Sequence, residues 1–263
     1  MARLAHYVMA SEWRAALIAS LLLFLPLFSW AGASVVALYA LRRGVEKSFL
    51  VTAVPVLCAS LMAFGFGDPS ILLVLAITIV LAAVLYRTLS WTSVLLIGLG
   101  LSLVLVFLVG AVYEETLKGL VVAIKEVVAP PAQLAALGVD SVTVDAWMAS
   151  LSVGALSFVQ IVSAIFALVF ARAVQAQAYN PGGFKAEFEA VILPPMFAVG
   201  CLVLATAGFL IDPWMLRFTP IGALPLMFAG IALVHGLTSM RESRGLIILF
   251  YVALVFFTPY LLM

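Results

Sequence analysis

From Ala15 to Leu41 the chain runs for twenty-seven residues without a charge, and the way that stretch folds decides the sidedness of everything after it. Arg14 stands before it; Arg42, Arg43 and Lys47 stand after it. One straight span would put these basic clusters on opposite faces of a bilayer, against the bias that keeps lysine and arginine cytoplasmic. A break near Pro26 and Gly32 that doubles the chain back keeps both clusters on one face. Proline lacks the backbone donor and clashes with the preceding turn, so a bend there has a local cause. Each arm is then only ~20 Å long at about 1.5 Å per residue, short of a ~30 Å hydrocarbon core. The run reads as a helical hairpin or re-entrant pair.

Composition places the rest of the chain in the same solvent. With 66% hydrophobic residues, 10% charged residues and a mean hydropathy of +1.29, it departs from soluble domains, whose charged fraction is about a quarter. A net charge of +1 with no basic stripe excludes nucleic acid as a partner, since nothing would displace counterions from phosphates. Cys58 and Cys201 each sit inside an apolar run with no ligand-spaced His or Cys nearby, so they carry no metal or disulfide signal. No cofactor is expected.

The remaining runs follow in order. Phe49–Phe66 ends at the turn Gly65-Phe66-Gly67-Asp68-Pro69, Ser70–Tyr86 returns to Arg87, and Trp91–Val112 crosses again. Tyr113–Ala129 differs in kind: Leu117, Leu120, Val121, Ile124, Val127 and Val128 recur at helical spacing, opposite Glu114, Lys118 and Lys125. That pattern is an interfacial helix lying flat. Pro130-Pro131 stops it, and a linker through Asp140 and Asp145 leads to Trp147. This excursion reads as an amphipathic connector in preference to a lid over an external cavity. Trp147–Phe170 is the next span, then a polar loop Gln175–Glu189, then Val191–Ile211 opened by Pro194-Pro195. Asp212-Pro213 turns the chain, Pro220–Val234 returns, His235–Arg244 forms a turn, and Gly245–Leu262 is the last run.

The expected fold is therefore all-α: one integral membrane domain over residues 1–263, a polytopic bundle of about seven full spans plus the broken N-terminal hairpin, eight to nine hydrophobic segments in all. Residues 113–146 form its external helix and linker. In this layout Arg3, Arg14, Arg42, Arg43, Lys47, Arg87, Arg172, Lys185, Arg241 and Arg244 fall inside, and only Lys118, Lys125 and Arg217 outside. A straight first span would move the two N-terminal arginines across and weaken that bias. The expectation is a bacterial inner-membrane protein with a cytoplasmic N-terminus and a periplasmic C-terminus.

Enzyme signatures are missing. There is no Gly-x-Ser-x-Gly, no His-Glu-x-x-His, no Walker loop and no dinucleotide fingerprint, so the chain is not expected to be an enzyme and no metal site is expected. Polar residues inside spans are costly in hydrocarbon and become the functional candidates. Gln160 leads, with Ser157 a turn before it and Ser163 nearly a turn after; a buried amide that binds a neighbouring helix is equally good structural glue. Trp147, at the outer start of the same run, joins Gln160 and Ser157 as a guessed ligand contact. His235 at a helix end suits the helix dipole. Ala15 and Ala19 form a small-xxx-small pair that permits close helix contact.

Four segments carry a resemblance: SVVALYALRRGVEKSF, FGFGDPSILLVLAITI, FVQIVSAIFALVFARAVQAQAYNPGGF and PLMFAGIALVHGLTSMRESRG. In this order and spacing they resemble the YybS-like family of uncharacterised bacterial membrane proteins, over nearly the whole chain. That family is similar in fold to the substrate-capture subunits of energy-coupling-factor transporters. The resemblance implies a compact helical bundle with an outward ligand pocket, and a membrane coupling subunit docking on Ala15 and Ala19. Here the N-terminal run is longer and folded back, and the interfacial helix is additional. The leading expectation is a small-molecule-binding or uptake subunit. The alternative is a non-catalytic scaffold or assembly factor that binds another membrane protein through small-residue faces or the loop Gln175–Glu189; a lipid-handling protein with Pro-kinked helices is a third.

Overall fold

The computed structural model describes residues 2–25, 28–128, 141–240 and 244–261. Among them are twelve α-helices and no strand. The leading apolar run is two helices, α2 (Glu12–Phe24) and α3 (Ser29–Arg43), preceded by the short α1 (Ala2–Met9). They form a hairpin. Glu12 at the start of α2 pairs with Arg43 at the end of α3, at 3.3 Å, so the two arms begin and end together. Pro26, the expected cause of the reversal, lies outside the described residues.

Gly32 has a different part from the one its sequence position suggests. It does not break the run but sits inside α3, where a Cβ would lie 2.6 Å from the Ala19 carbonyl oxygen and 2.9 Å from the Leu23 side chain. Its missing side chain lets the arms touch. Ala15, Ala16 and Ala19 on α2 are fully buried, so the expected docking pair, Ala15 and Ala19, is covered by the protein's own chain.

The other helices are α4 (Phe49–Phe66), α5 (Ser70–Thr88), α6 (Trp91–Val112), α7 (Glu114–Val128), α8 (Ser141–Tyr179), α9 (Gly183–Glu189), α10 (Pro195–Leu210), α11 (Thr219–Met240) and α12 (Arg244–Leu261). Helical 3-10 turns occupy Val45–Lys47 and Pro213–Phe218. Five of the described helical stretches are long and apolar enough to cross a membrane: α4, α5, α6, α8, and the 3-10 turn continued by α11. At 16 residues α10 is apolar but shorter. The exterior is itself apolar, with Phe49, Leu57, Leu61, Phe64 and Phe66 exposed on α4 alone; such a face suits hydrocarbon and would be a liability in water.

Contacts sort the helix termini into two ends. At the basic end Arg87 meets Glu46 at 3.1 Å, Gln175 donates to the Leu41 carbonyl at 2.9 Å, Arg42 stacks over Tyr179, Arg172 binds Glu187, and Thr92 donates to the Ile192 carbonyl at 2.9 Å. At the acidic end Tyr113 meets Asp68, Lys125 meets Asp145, and Phe107 packs near Trp214. The hairpin tip belongs to neither end: Trp30 lies edge-on to Phe166 at 4.8 Å and to Phe170 at 5.4 Å. Along α8 that is ~14 Å short of Tyr179, about half the depth of a hydrocarbon core.

Three boundaries depart from the sequence reading, each because helix continues past the apolar stretch. α8 is 39 residues, ~58 Å long. It takes up Ser141–Ala146, expected as linker, and runs on to Tyr179, so most of the expected loop Gln175–Glu189 is helical, in α8 or α9. His235 is within α11, which extends to Met240, and its ring lies between Phe188 and Tyr251. Hydropathy falls at these ends while tertiary and interfacial contacts hold the helix, which a hydropathy boundary cannot register.

A Gly32→Ala substitution is expected to destabilise the protein by about 1–3 kcal/mol, because backbone must move to admit one methyl group. Thermal melting in detergent checks this, with Gly100→Ala, where a Cβ meets open space, as the control that stays near wild type.

Candidate ligand cavity

Where α6 ends, the chain turns on Tyr113. Its amide closes α6 on the Val109 carbonyl at 3.0 Å and its carbonyl receives the Leu117 amide at 2.8 Å, so it belongs to both helices. Its hydroxyl donates to Asp68 Oδ1 at 2.5 Å and lies 2.7 Å from Ser70 Oγ. Asp68 also accepts from the Ser70 amide at 2.9 Å. The α4–α5 turn thereby pins the point from which α7 departs. Burial and then the bond to Asp68 push the Tyr113 hydroxyl up to about 12. At Asp68, burial works to raise the carboxyl, but the bonds from Tyr113 and Ser70 outweigh it and hold the group below its usual range.

From that hinge α7 runs with Glu114 and Glu115 in its first turn and Lys125 in its last, each sign at the pole it stabilises. Lys118 sits 2.9 Å from Glu114 and 3.0 Å from Glu115. Lys125 reaches across to α8, its Nζ 2.6 Å from Asp145 Oδ1. The start of α8 is anchored from another side: a Cβ at Gly154 would collide with the Arg217 carbonyl oxygen, and the Arg217 guanidinium lies 4.3 Å over the Trp214 ring.

Between α6, α7 and α8 lies a cavity of about 570 Å³. Gly110, Leu117, Val121, Ala149 and Val153 form its apolar floor; Glu114, Lys118, Lys125 and Asp145 bring charge to it. The α8 contribution is the stripe 145, 149, 153, one residue per turn on a single face. Gly110 faces α8, and a Cβ there would lie 3.8 Å from Val153, in ordinary van der Waals contact. The size and the mix of apolar wall with a few polar groups are those of a small-molecule site.

None of the residues guessed as ligand contacts lines this cavity. Gln160 is 2% exposed and Ser157 fully buried, ~6–10 Å deeper along α8 than Val153. Ser157 donates to the Val153 carbonyl at 2.8 Å, whereas both polar atoms of the Gln160 amide are buried without a partner among the described residues. Trp147 is 46% exposed and lies away from the cavity wall. The cavity is lined instead by Lys125, Asp145, Ala149 and the α7 apolar stripe. Their signal was present, as the amphipathic period of α7 and the spacing Asp145, Ala149, Val153, but nothing in the sequence pairs the two helices.

No protein-family model, curated protein or solved structure matches this chain.

The hinge has a pH signature. Tyr113, its hydroxyl raised, contributes stability that is complete below about pH 10 and is lost as pH rises towards about 12. Tyr113→Phe is expected to lower stability by about 1 kcal/mol at neutral pH. The gap to wild type should close over that alkaline window, read as thermal midpoints at a series of pH values.

Proposed function

We propose that this chain is a non-catalytic inner-membrane protein of bacterial type that captures a small molecule in the cavity between α6, α7 and α8. One observation carries the reading: an apolar hollow of ligand size walled by an amphipathic helix whose departure point is fixed by Tyr113, Asp68 and Ser70. An idle connector needs no such anchorage. In this reading α7 is the wall of a binding site, and it can swing away from α8 only by breaking the Lys125–Asp145 pair.

The topology proposed with it has seven crossings, α4, α5, α6, α8, α10, α11 and α12. The α2–α3 hairpin enters and leaves the bilayer on one face. The Glu12–Arg43 pair supports that arrangement, because it brings Arg14 and the Arg42-Arg43 step to one end, as the positive-inside bias favours. The basic end is then cytoplasmic with the N-terminus, the acidic end and the C-terminus are periplasmic, and the cavity opens outward. The resemblance to the YybS-like family, and through it to substrate-capture subunits, points the same way. Docking of a coupling subunit through Ala15 and Ala19 is not part of the proposal, since both are buried within the chain.

Thermal stability in the presence of a panel of vitamins, amino acids and other metabolites tests capture. A ligand at 100 times its Kd is expected to add about 2.7 kcal/mol. Ala149→Trp, which fills the floor from an exposed position, should abolish the response while leaving the unliganded midpoint near wild type. No shift with any compound would defeat the reading. A reporter fused ahead of Met1 is expected to report from the cytoplasm, and a periplasmic signal would overturn the topology.

A further inference from the structure

The charges around the cavity narrow what it would hold. Lys125 on α7 and Asp145 on α8 face each other across the mouth at 2.6 Å, with Lys125 only 21% exposed and Asp145 49% exposed. The second charged group, Glu114 with Lys118, lies at the other end of the groove, ~10 Å away along α7. Between them the floor is wholly apolar.

A ligand that seats its polar end between Lys125 and Asp145 separates that pair. A purely anionic ligand would satisfy Lys125 and leave the half-exposed Asp145 to water alone; a purely cationic one would leave the more deeply buried Lys125 without a counter-charge. The second loss is the larger, because Lys125 is only 21% exposed and a poorly solvated charge is the costlier one to leave unpaired. A ligand carrying both signs gives each residue a new counter-charge and lays its apolar part on Leu117, Val121, Ala149 and Val153.

Resting on the capture reading above, we infer that the cavity binds a zwitterion: a primary ammonium that meets Asp145 and an anionic acid group that meets Lys125, joined to an apolar body. A free amino acid with a large apolar side chain has this chemistry. So has the headgroup end of phosphatidylethanolamine.

The probes are L-phenylalanine, 3-phenylpropionate, which lacks the ammonium, and phenethylamine, which lacks the carboxylate. Binding is measured by calorimetry to the full chain in detergent. Phenylalanine is expected to bind roughly tenfold more tightly than either analogue, a difference of one charge-assisted contact. Lys125→Met should erase the preference over phenethylamine, and Asp145→Asn the preference over 3-phenylpropionate. The exchanged double variant, Lys125→Asp with Asp145→Lys, should restore both, which a merely unfolded single variant cannot explain away. In nanodiscs, loss of phenylalanine binding with phosphatidylethanolamine but not phosphatidylglycerol assigns the site to a lipid headgroup; binding unchanged by either lipid assigns it to the free zwitterion.

An analogue that binds wild type as tightly as phenylalanine overturns the inference, as does a preference that survives both single substitutions, or competition by both lipids alike. If none of the three probes binds while another metabolite stabilises the protein, capture stands and the zwitterion falls. If nothing in the panel binds, both fall.

Discussion

The close approach of α2 and α3, with Gly32 seated on the Ala19 carbonyl, is the contact on which the arrangement of the bundle depends. Two helices of 13 and 15 residues cannot each cross a ~30 Å core, and an isolated pair would be poorly held in lipid, where burial of apolar surface no longer drives association. Packing has to supply what hydrophobicity does not. Alanine at 15, 16 and 19 with glycine at 32 brings the backbones near enough for dispersion to accumulate. The Glu12–Arg43 pair then closes the open end. The arms thereby return to the end from which they start.

Six hydroxyls in the long helices use the same local device. Ser60, Thr78, Ser102, Ser157, Ser163 and Thr238 each donate to the carbonyl four residues back, at 2.7 to 2.9 Å. This removes the cost of a bare donor without needing a partner on another helix. With that bond made, the single hydroxyl proton of each is already donated. Charged pairs, by contrast, gather at the two ends, where Arg87 meets Glu46 and Lys118 meets Glu114 in exposed settings.

Much of the helical layout was legible because hydrocarbon imposes a simple rule, and long apolar runs state it plainly. The amphipathic helix was equally readable: the period that separates Leu117 and Val121 from Glu114 and Lys118 places Glu114–Val128 within one residue of the expected bounds at each end. Helix extents beyond the apolar runs were not readable. Arg172, Gln175 and Gln177 look like loop composition, yet Arg172 bonds Glu187 and Gln175 reaches Leu41, contacts that hold α8 in register to Tyr179. The candidate site was less legible still. Lys125 and Asp145 are separated by 20 residues, and hydropathy carries no term for which end of α8 approaches α7. Attention fell instead on Gln160, whose burial was foreseen from its polarity but whose depth puts it below the cavity floor.

That the hollow lies at one end of the bundle, and not at its centre, follows from the same energetics. The centre is filled by aliphatic side chains such as Leu75, Leu81, Leu95, Leu105, Ile161 and Leu168, all essentially inaccessible, and a polar ligand there would forfeit its hydration with few donors or acceptors to replace it. At the acidic end, α7 lies across helices whose small residues, Gly110 and Ala149, leave room beneath it. The surrounding charges are held by partners, Lys118 by Glu114 and Glu115 and Lys125 by Asp145, so the hollow can be apolar inside without stranding an ion.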